Sequence, residues 1–189
     1  MRELLIVLSL IGISGLQGCV PLVAGGAAAG GVLVAQDRRT FGAITEDEAL
    51  ELKASRRIKE DFLGAHVDVT SFNRVMLLTG EAPTQQMKSD IENTLARDLA
   101  NVRAIQNELI VAAPSALSAR SNDAYLTSKV KARMVEAQQF HPTHVKVVTS
   151  NDVVYLMGLV TQEEANQATE IARSTGGVQK VVKVFEYIN

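Results

Sequence analysis

The chain has 189 residues, 47% of them hydrophobic and 4% aromatic, with no tryptophan and a formal net charge of −2. That length supports one ordinary domain or two small ones with aliphatic cores. The lack of bulk positive charge argues against non-specific nucleic-acid binding, and the single cysteine, Cys19, excludes an internal disulfide framework or a cysteine-based zinc cluster.

Arg2 precedes an apolar run from Leu4 to Ile13, and Leu16-Gln17-Gly18-Cys19 follows in the form of a lipobox. Residues 1–18 are therefore expected to be a lipoprotein signal peptide, with Cys19 acylated as the first mature residue. The competing readings are an uncleaved membrane helix or a buried cysteine that happens to follow a signal. Several acyl chains would anchor stably, whereas one holds only marginally, at about 0.8 kcal/mol per buried CH2. Residues 19–44 are expected to be the lipidated cysteine and a flexible tether, dominated by the Gly/Ala-rich run from Val20 to Ala35. The spacing Gly26-x-x-x-Gly30 also fits a membrane helix-packing motif, but glycine this dense weakens a helix.

Thr45-Glu46-Asp47-Glu48 has the form of a capping box, so a helix is expected from Thr45, with Leu50, Ala54, Ile58 and Phe62 on one face and Gly64 at its end. VDVTSFNRVMLLTG, Val67 to Gly80, then reads as a hairpin. It recurs as VKVVTSNDVVYLMG, Val145 to Gly158, at an offset of 78 (145 − 67 = 158 − 80). Pro83 suits the first turn of a second helix carrying Met87, Ile91, Leu95 and Leu99, and Val102–Val111 reads as a third strand. The unit is αββαβ, over residues 45–112. Residues 113–120 form a short linker containing Pro114, and the second unit covers 121–189.

In the second unit, Ser121-Asn122-Asp123 offers cap residues for a helix whose core stripe is Leu126, Val130, Met134 and Ala137. Thr161–Glu164 is a further capping box, Gly176-Gly177 closes the helix that follows, and Val178–Ile188 is the last strand. Each unit should be a two-layer α+β sandwich of three strands in a mixed sheet on two helices. Gly80 and Gly158 are expected to be structural glycines, at a positive φ or where a Cβ would collide.

Two αββαβ units of this kind behind a lipobox resemble the dual BON-domain lipoproteins of the Gram-negative cell envelope. The resemblance is to the division- and outer-membrane-stress-associated lipoproteins, most specifically in SNDAYLTSKVKARM (Ser121–Met134) and VYLMGLVT (Val154–Thr161). It covers nearly the whole mature chain, the first unit being the more divergent half. The resemblance implies a non-catalytic, lipid-anchored protein of the outer membrane, facing the periplasm. It also implies binding of anionic phospholipid, a role in envelope integrity at the division site, and a link to the outer-membrane protein assembly machinery. In that family the first helix of the second BON unit makes the lipid contact.

Taken by itself, that helix places Tyr125, Lys129 and Arg133 at about 0°, 40° and 80°, beside a core stripe centred near about 140°. Tyrosine suits a membrane interface, and Lys and Arg can lay their stems on apolar surface while their charges reach phosphate. The expected lipid-binding residues are Tyr125, Leu126, Lys129 and Arg133, with Lys131 weaker. The competing reading is an ordinary solvated face, which Glu136 favours. The counterpart helix of the first unit carries Arg56, Arg57 and Lys59 but no exposed aromatic near its start, and is the poorer membrane face.

For catalysis the sequence offers little. It shows no nucleophile elbow, phosphate-binding glycine loop or dinucleotide fingerprint. His141 and His144 are separated by Pro142 and have no third ligand nearby, so no metal and no cofactor is expected. The rival functional class is an adaptor that binds another envelope protein through a helix face or a strand edge.

Overall fold

The computed structural model describes residues 37–189, so the expected signal peptide, Cys19 and the tether up to residue 36 lie outside the described residues. The first unit comprises α1 (Phe41–Asp61), β1 (His66–Phe72), β2 (Val75–Ala82), α2 (Gln85–Asp98), β3 (Ala104–Asn107) and β4 (Ile110–Val111). The second comprises α3 (Leu117–Ala137), a 3-10 turn (Pro142–His144), β5 (Val145–Ser150), β6 (Val153–Val160), α4 (Gln162–Arg173) and β7 (Lys180–Tyr187). In each, the hairpin is antiparallel and the last strand pairs parallel to the hairpin's second strand.

The helix starts depart from the sequence reading. α1 begins at Phe41 with Thr40 as its cap, Thr40 Oγ1 accepting from the Ala43 amide at 3.1 Å, so residues 41–44 belong to the helix and not to a tether. Thr45 lies inside, its hydroxyl donating to the Phe41 carbonyl. Thr84 caps α2, leaving Pro83 just outside it. α3 begins at Leu117, so the linker is shorter than expected and Ser121–Asp123 sit within the helix. The capping box at Thr161–Glu164 is present as expected.

The expected third strand of the first unit is two pieces. Its register is unbroken, since 104 − 75 = 110 − 81 = 29, but Glu108 and Leu109 interrupt the pairing beside Gly80. The Glu108 amide still donates to the Leu78 carbonyl, and Leu109 turns into the core.

Both hairpins turn through two residues of positive φ, Asn73 and Arg74 in one and Asn151 and Asp152 in the other, the signature of a tight type I′ turn. An aspartate from the preceding helix holds each turn. Asp47 accepts from the amides of Asn73 and Arg74, each at 2.7 Å, and Asp123 accepts from those of Asn151 and Asp152 at 2.9 and 3.0 Å.

Alternation along the central strands explains the assembly. In β2, Met76, Leu78 and Ala82 face α1 and α2, while Val75 and Leu77 face the other way; in β6, Val154, Leu156 and Val160 face α3 and α4, while Val153, Tyr155 and Met157 face away. Those outward residues meet in a third apolar cluster with Phe72, so the two sheets pack face to face with the helices outside. Each unit is a two-layer sandwich as expected, and the two stack as helices, sheet, sheet, helices. β2 and β6 are buried on both faces, which accounts for their nearly continuous apolar runs. Burial pushes the Tyr155 phenol up to about 12, with Glu108 adding to the shift. The described residues fall within one compact unit that carries all three clusters.

Polar ties cross the seam. Glu81, 2% exposed, accepts from Asn151 Nδ2 (2.8 Å) and the Ser115 amide (3.0 Å) and bonds His66 Nδ1 (2.9 Å). Lys146 pairs with Glu51 at 2.8 Å, and Arg103 with Glu186 at 2.9 Å. Arg38, ahead of α1, forks onto Glu164 of the second unit at 2.6 and 2.9 Å.

Burial would raise the Glu164 carboxyl from its ordinary 4.5, but hydrogen bonds from Arg38, the Thr161 amide and His144 outweigh this and hold it at about 2. A carboxylate depressed in the folded state stabilises fully above its unfolded pKa, and that stability is lost as pH falls towards the folded value. Melting temperature should therefore decline between about pH 4.5 and pH 2. Glu164→Gln should flatten part of that decline; a pH profile that overlays the parent protein would exclude Glu164 as its source.

Candidate functional site

α3 has two stripes. Leu126, Val130 and Met134 face inward and are buried. On the opposite side Leu117, Ser121, Ala124, Ser128, Ala132 and Val135 follow helical spacing and are all exposed, with no charge among them. Tyr125, Lys131 and Glu136 border this stripe. Because the sheets face each other, the stripe is left on the outside of the assembly. Leu117, Tyr125 and Val135 are 77%, 62% and 57% exposed, a concentration of apolar surface on one helix face.

The four expected lipid-binding residues are not equivalent. Tyr125 projects outward, and the Lys129 ammonium sits 5.9 Å from its ring centroid while donating to the Gly176 carbonyl at 2.8 Å. Arg133 is half-buried, and its guanidinium turns inward to the Ile171 carbonyl (3.1 Å) and the Thr175 hydroxyl (2.8 Å). It therefore satisfies a carbonyl group near the C-terminal end of α4, a favourable place for a cation. Leu126 is 2% exposed and belongs to the core, where it lies so close to Gly177 that a Cβ there would meet it at 2.7 Å. Lys131, the weaker candidate by angle, is exposed beside the stripe.

On the first unit, α1 starts four residues earlier than expected and so carries an exposed aromatic, Phe41, at its first position. Arg57 is occupied by Asp61 and Asp98, whereas Arg56 and Lys59 point to solvent.

The rings of His141 and His144 lie 5.5 Å apart, but His141 bonds Thr143 and His144 bonds Glu164. Among the described residues no three histidine, cysteine or acidic side chains are grouped to hold a metal, and no helix is long and apolar enough to cross a membrane. Gly80, at φ +109°, and Gly158 each lie within a hairpin strand, where a Cβ would stand 2.2 Å from a backbone carbonyl oxygen, His66 O and His144 O respectively.

The BON domain family profile matches residues 46–113 and again 122–189. The chain is 38% identical over 177 residues to the outer membrane lipoprotein DolP of Haemophilus influenzae, covering 92% of this chain and 91% of that protein. It is 32% identical to a 21 kDa hemolysin of Actinobacillus pleuropneumoniae (80% and 79% covered) and 26% identical to the osmotically inducible protein Y of Escherichia coli (74% and 72%). With both repeats matched and the DolP likeness running through nearly all of its length, the chain belongs to the dual BON-domain, DolP-type family of outer-membrane lipoproteins.

Proposed function

We propose that this protein is a non-catalytic lipoprotein of the outer membrane, anchored through Cys19 after removal of residues 1–18, that docks the outer face of α3 on anionic phospholipid. One observation carries the reading: the outward stripe of α3 is uncharged along its length and apolar at Leu117, Ala124, Ala132 and Val135, with tyrosine and lysine at its borders. An amphipathic helix lies in a bilayer interface by burying such a stripe while flanking cations reach phosphate, each contributing about 1 kcal/mol on an anionic leaflet. Tyr125, Lys129 and Lys131 are the contacting residues. Arg133 supports the site by fixing the end of α4 against α3. The anchor holds the protein at the membrane, and α3 selects the lipid. A phosphatidylglycerol-rich surface fits this chemistry, and support of envelope integrity at the division site is the family role to which it leads.

The test is flotation of residues 37–189 with vesicles of phosphatidylglycerol or phosphatidylcholine. Binding is expected on the anionic vesicles only, weakening with salt. Tyr125→Ala/Lys129→Glu should reduce it about tenfold or more. Equal flotation of parent and variant would remove the reading. A second reading, an adaptor for another envelope protein such as the outer-membrane assembly machinery, is favoured by β7, an eight-residue strand that among the described residues is paired on one side only. That recruitment would need the partner and would survive the α3 substitutions.

A further inference from the structure

We propose that the cavity between the end of β1 in the first domain and the second half of α3 binds a single-chain anionic amphiphile. The cavity holds about 390 Å3, within the roughly 300–1,000 Å3 typical of small-molecule sites. Phe72, Met134, Val135 and Val145 give it an apolar wall, and every charged residue that lines it, Arg39, Lys131 and Lys146, is a cation.

Two of those cations are already satisfied. Arg39 pairs with Asp37 and Asp47, and its guanidinium lies 4.0 Å over the Phe72 ring; Lys146 donates to Glu51 and to the Ser71 carbonyl. Their acidic partners stand outside the cavity wall. Lys131 is exposed at the rim, and no carboxylate pairs with it among the described residues.

A purely apolar ligand would leave Lys131 unused, and a small anion would leave the apolar wall wet. One acyl chain ending in a carboxylate or phosphate meets both demands, the chain along Phe72 and Val135 and the head on the Lys131 ammonium. The site does not rest on the docking of α3 to a bilayer. It shares Lys131 and Val135 with that face, but the cavity also needs Phe72 and Arg39 from the first domain, which docking does not.

The probes are myristate and myristoyl lysophosphatidylglycerol, titrated calorimetrically into residues 37–189 below their micelle-forming concentrations. Myristoyl lysophosphatidylcholine serves as the zwitterionic control with the same chain. Saturable binding at one site per chain is expected for one or both anionic probes, and which of them binds identifies the head group. The zwitterionic probe should bind about tenfold more weakly. Lys131→Glu and Val135→Glu, both at exposed positions, should weaken anionic binding about tenfold or more without changing the melt. Tyr125→Ala/Lys129→Glu should leave it unchanged while losing vesicle flotation, which separates this site from bilayer docking. The proposal is overturned if neither anionic probe saturates, if Lys131→Glu and Val135→Glu both bind as the parent does, or if Tyr125→Ala/Lys129→Glu loses the monomeric probes too.

Discussion

Gly80→Val should leave the first domain unfolded at ordinary temperature, a loss of more than about 3 kcal/mol. Two costs fall together. The backbone at Gly80 has φ +109°, which a β-branched residue adopts only under strain, and its Cβ would stand 2.2 Å from the His66 carbonyl oxygen. That oxygen is backbone, opposite in the same hairpin, and cannot rotate aside. Gly158→Val meets the His144 carbonyl oxygen at the same 2.2 Å without a positive φ, so it should destabilise the second domain somewhat less. Gly42→Ala is the control. It lies in the first turn of α1 with only Thr40 Oγ1 near, at 3.9 Å, and should stabilise by about 0.5–1 kcal/mol. Thermal and denaturant melts of the three variants check the order; a valine at 80 that melts within a few degrees of the parent would refute it.

Asp47→Ala should cost about 3–5 kcal/mol, the scale for deleting one side of a buried ionic network. Asp47 is 2% exposed and accepts from the Ser71 hydroxyl, the Asn73 and Arg74 amides and Arg39, with all four contacts at 2.7 or 2.8 Å. Its removal strands two turn amides at positive φ and an arginine stacked on Phe72. Asp123→Ala removes the matching pair of turn contacts at a less buried site, with no arginine dependent on it, and should cost about 1–2 kcal/mol. Denaturant midpoints give the comparison directly. Equal losses at 47 and 123 would mean that the turn contacts alone matter and that Arg39 contributes nothing.

These two aspartates mark the limit of what the sequence disclosed. The repeat, the αββαβ order and the core residues were legible because a period of two in the hairpins and of 3.6 in the helices survives in both copies. Asp123 reads locally as a helix cap and Asp47 as an inner position of the Thr45–Glu48 capping pattern, so neither points to a distant partner. The turn amides they hold are 26 to 29 residues away, a distance at which no local pattern speaks. A signal was present all the same: each hairpin turn carries an asparagine, and each preceding helix carries an aspartate. The pairing of the two sheets was hidden for a related reason. Runs such as VVYLM fit a strand buried on both faces, but they do not say what covers the second face. At the candidate site the helix, Tyr125 and Lys129 were legible from angular position alone. The inward turn of Arg133 was not, because it depends on where α4 ends.

Arg38 precedes the whole folded region yet is fastened to Glu164, more than a hundred residues further on. Tension arriving from the amino-terminal side thus reaches α4 through that fork before it can peel α1 from its sheet. A protein tugged at that end is loaded at the far module first, and the near one cannot be stripped away while the clasp holds.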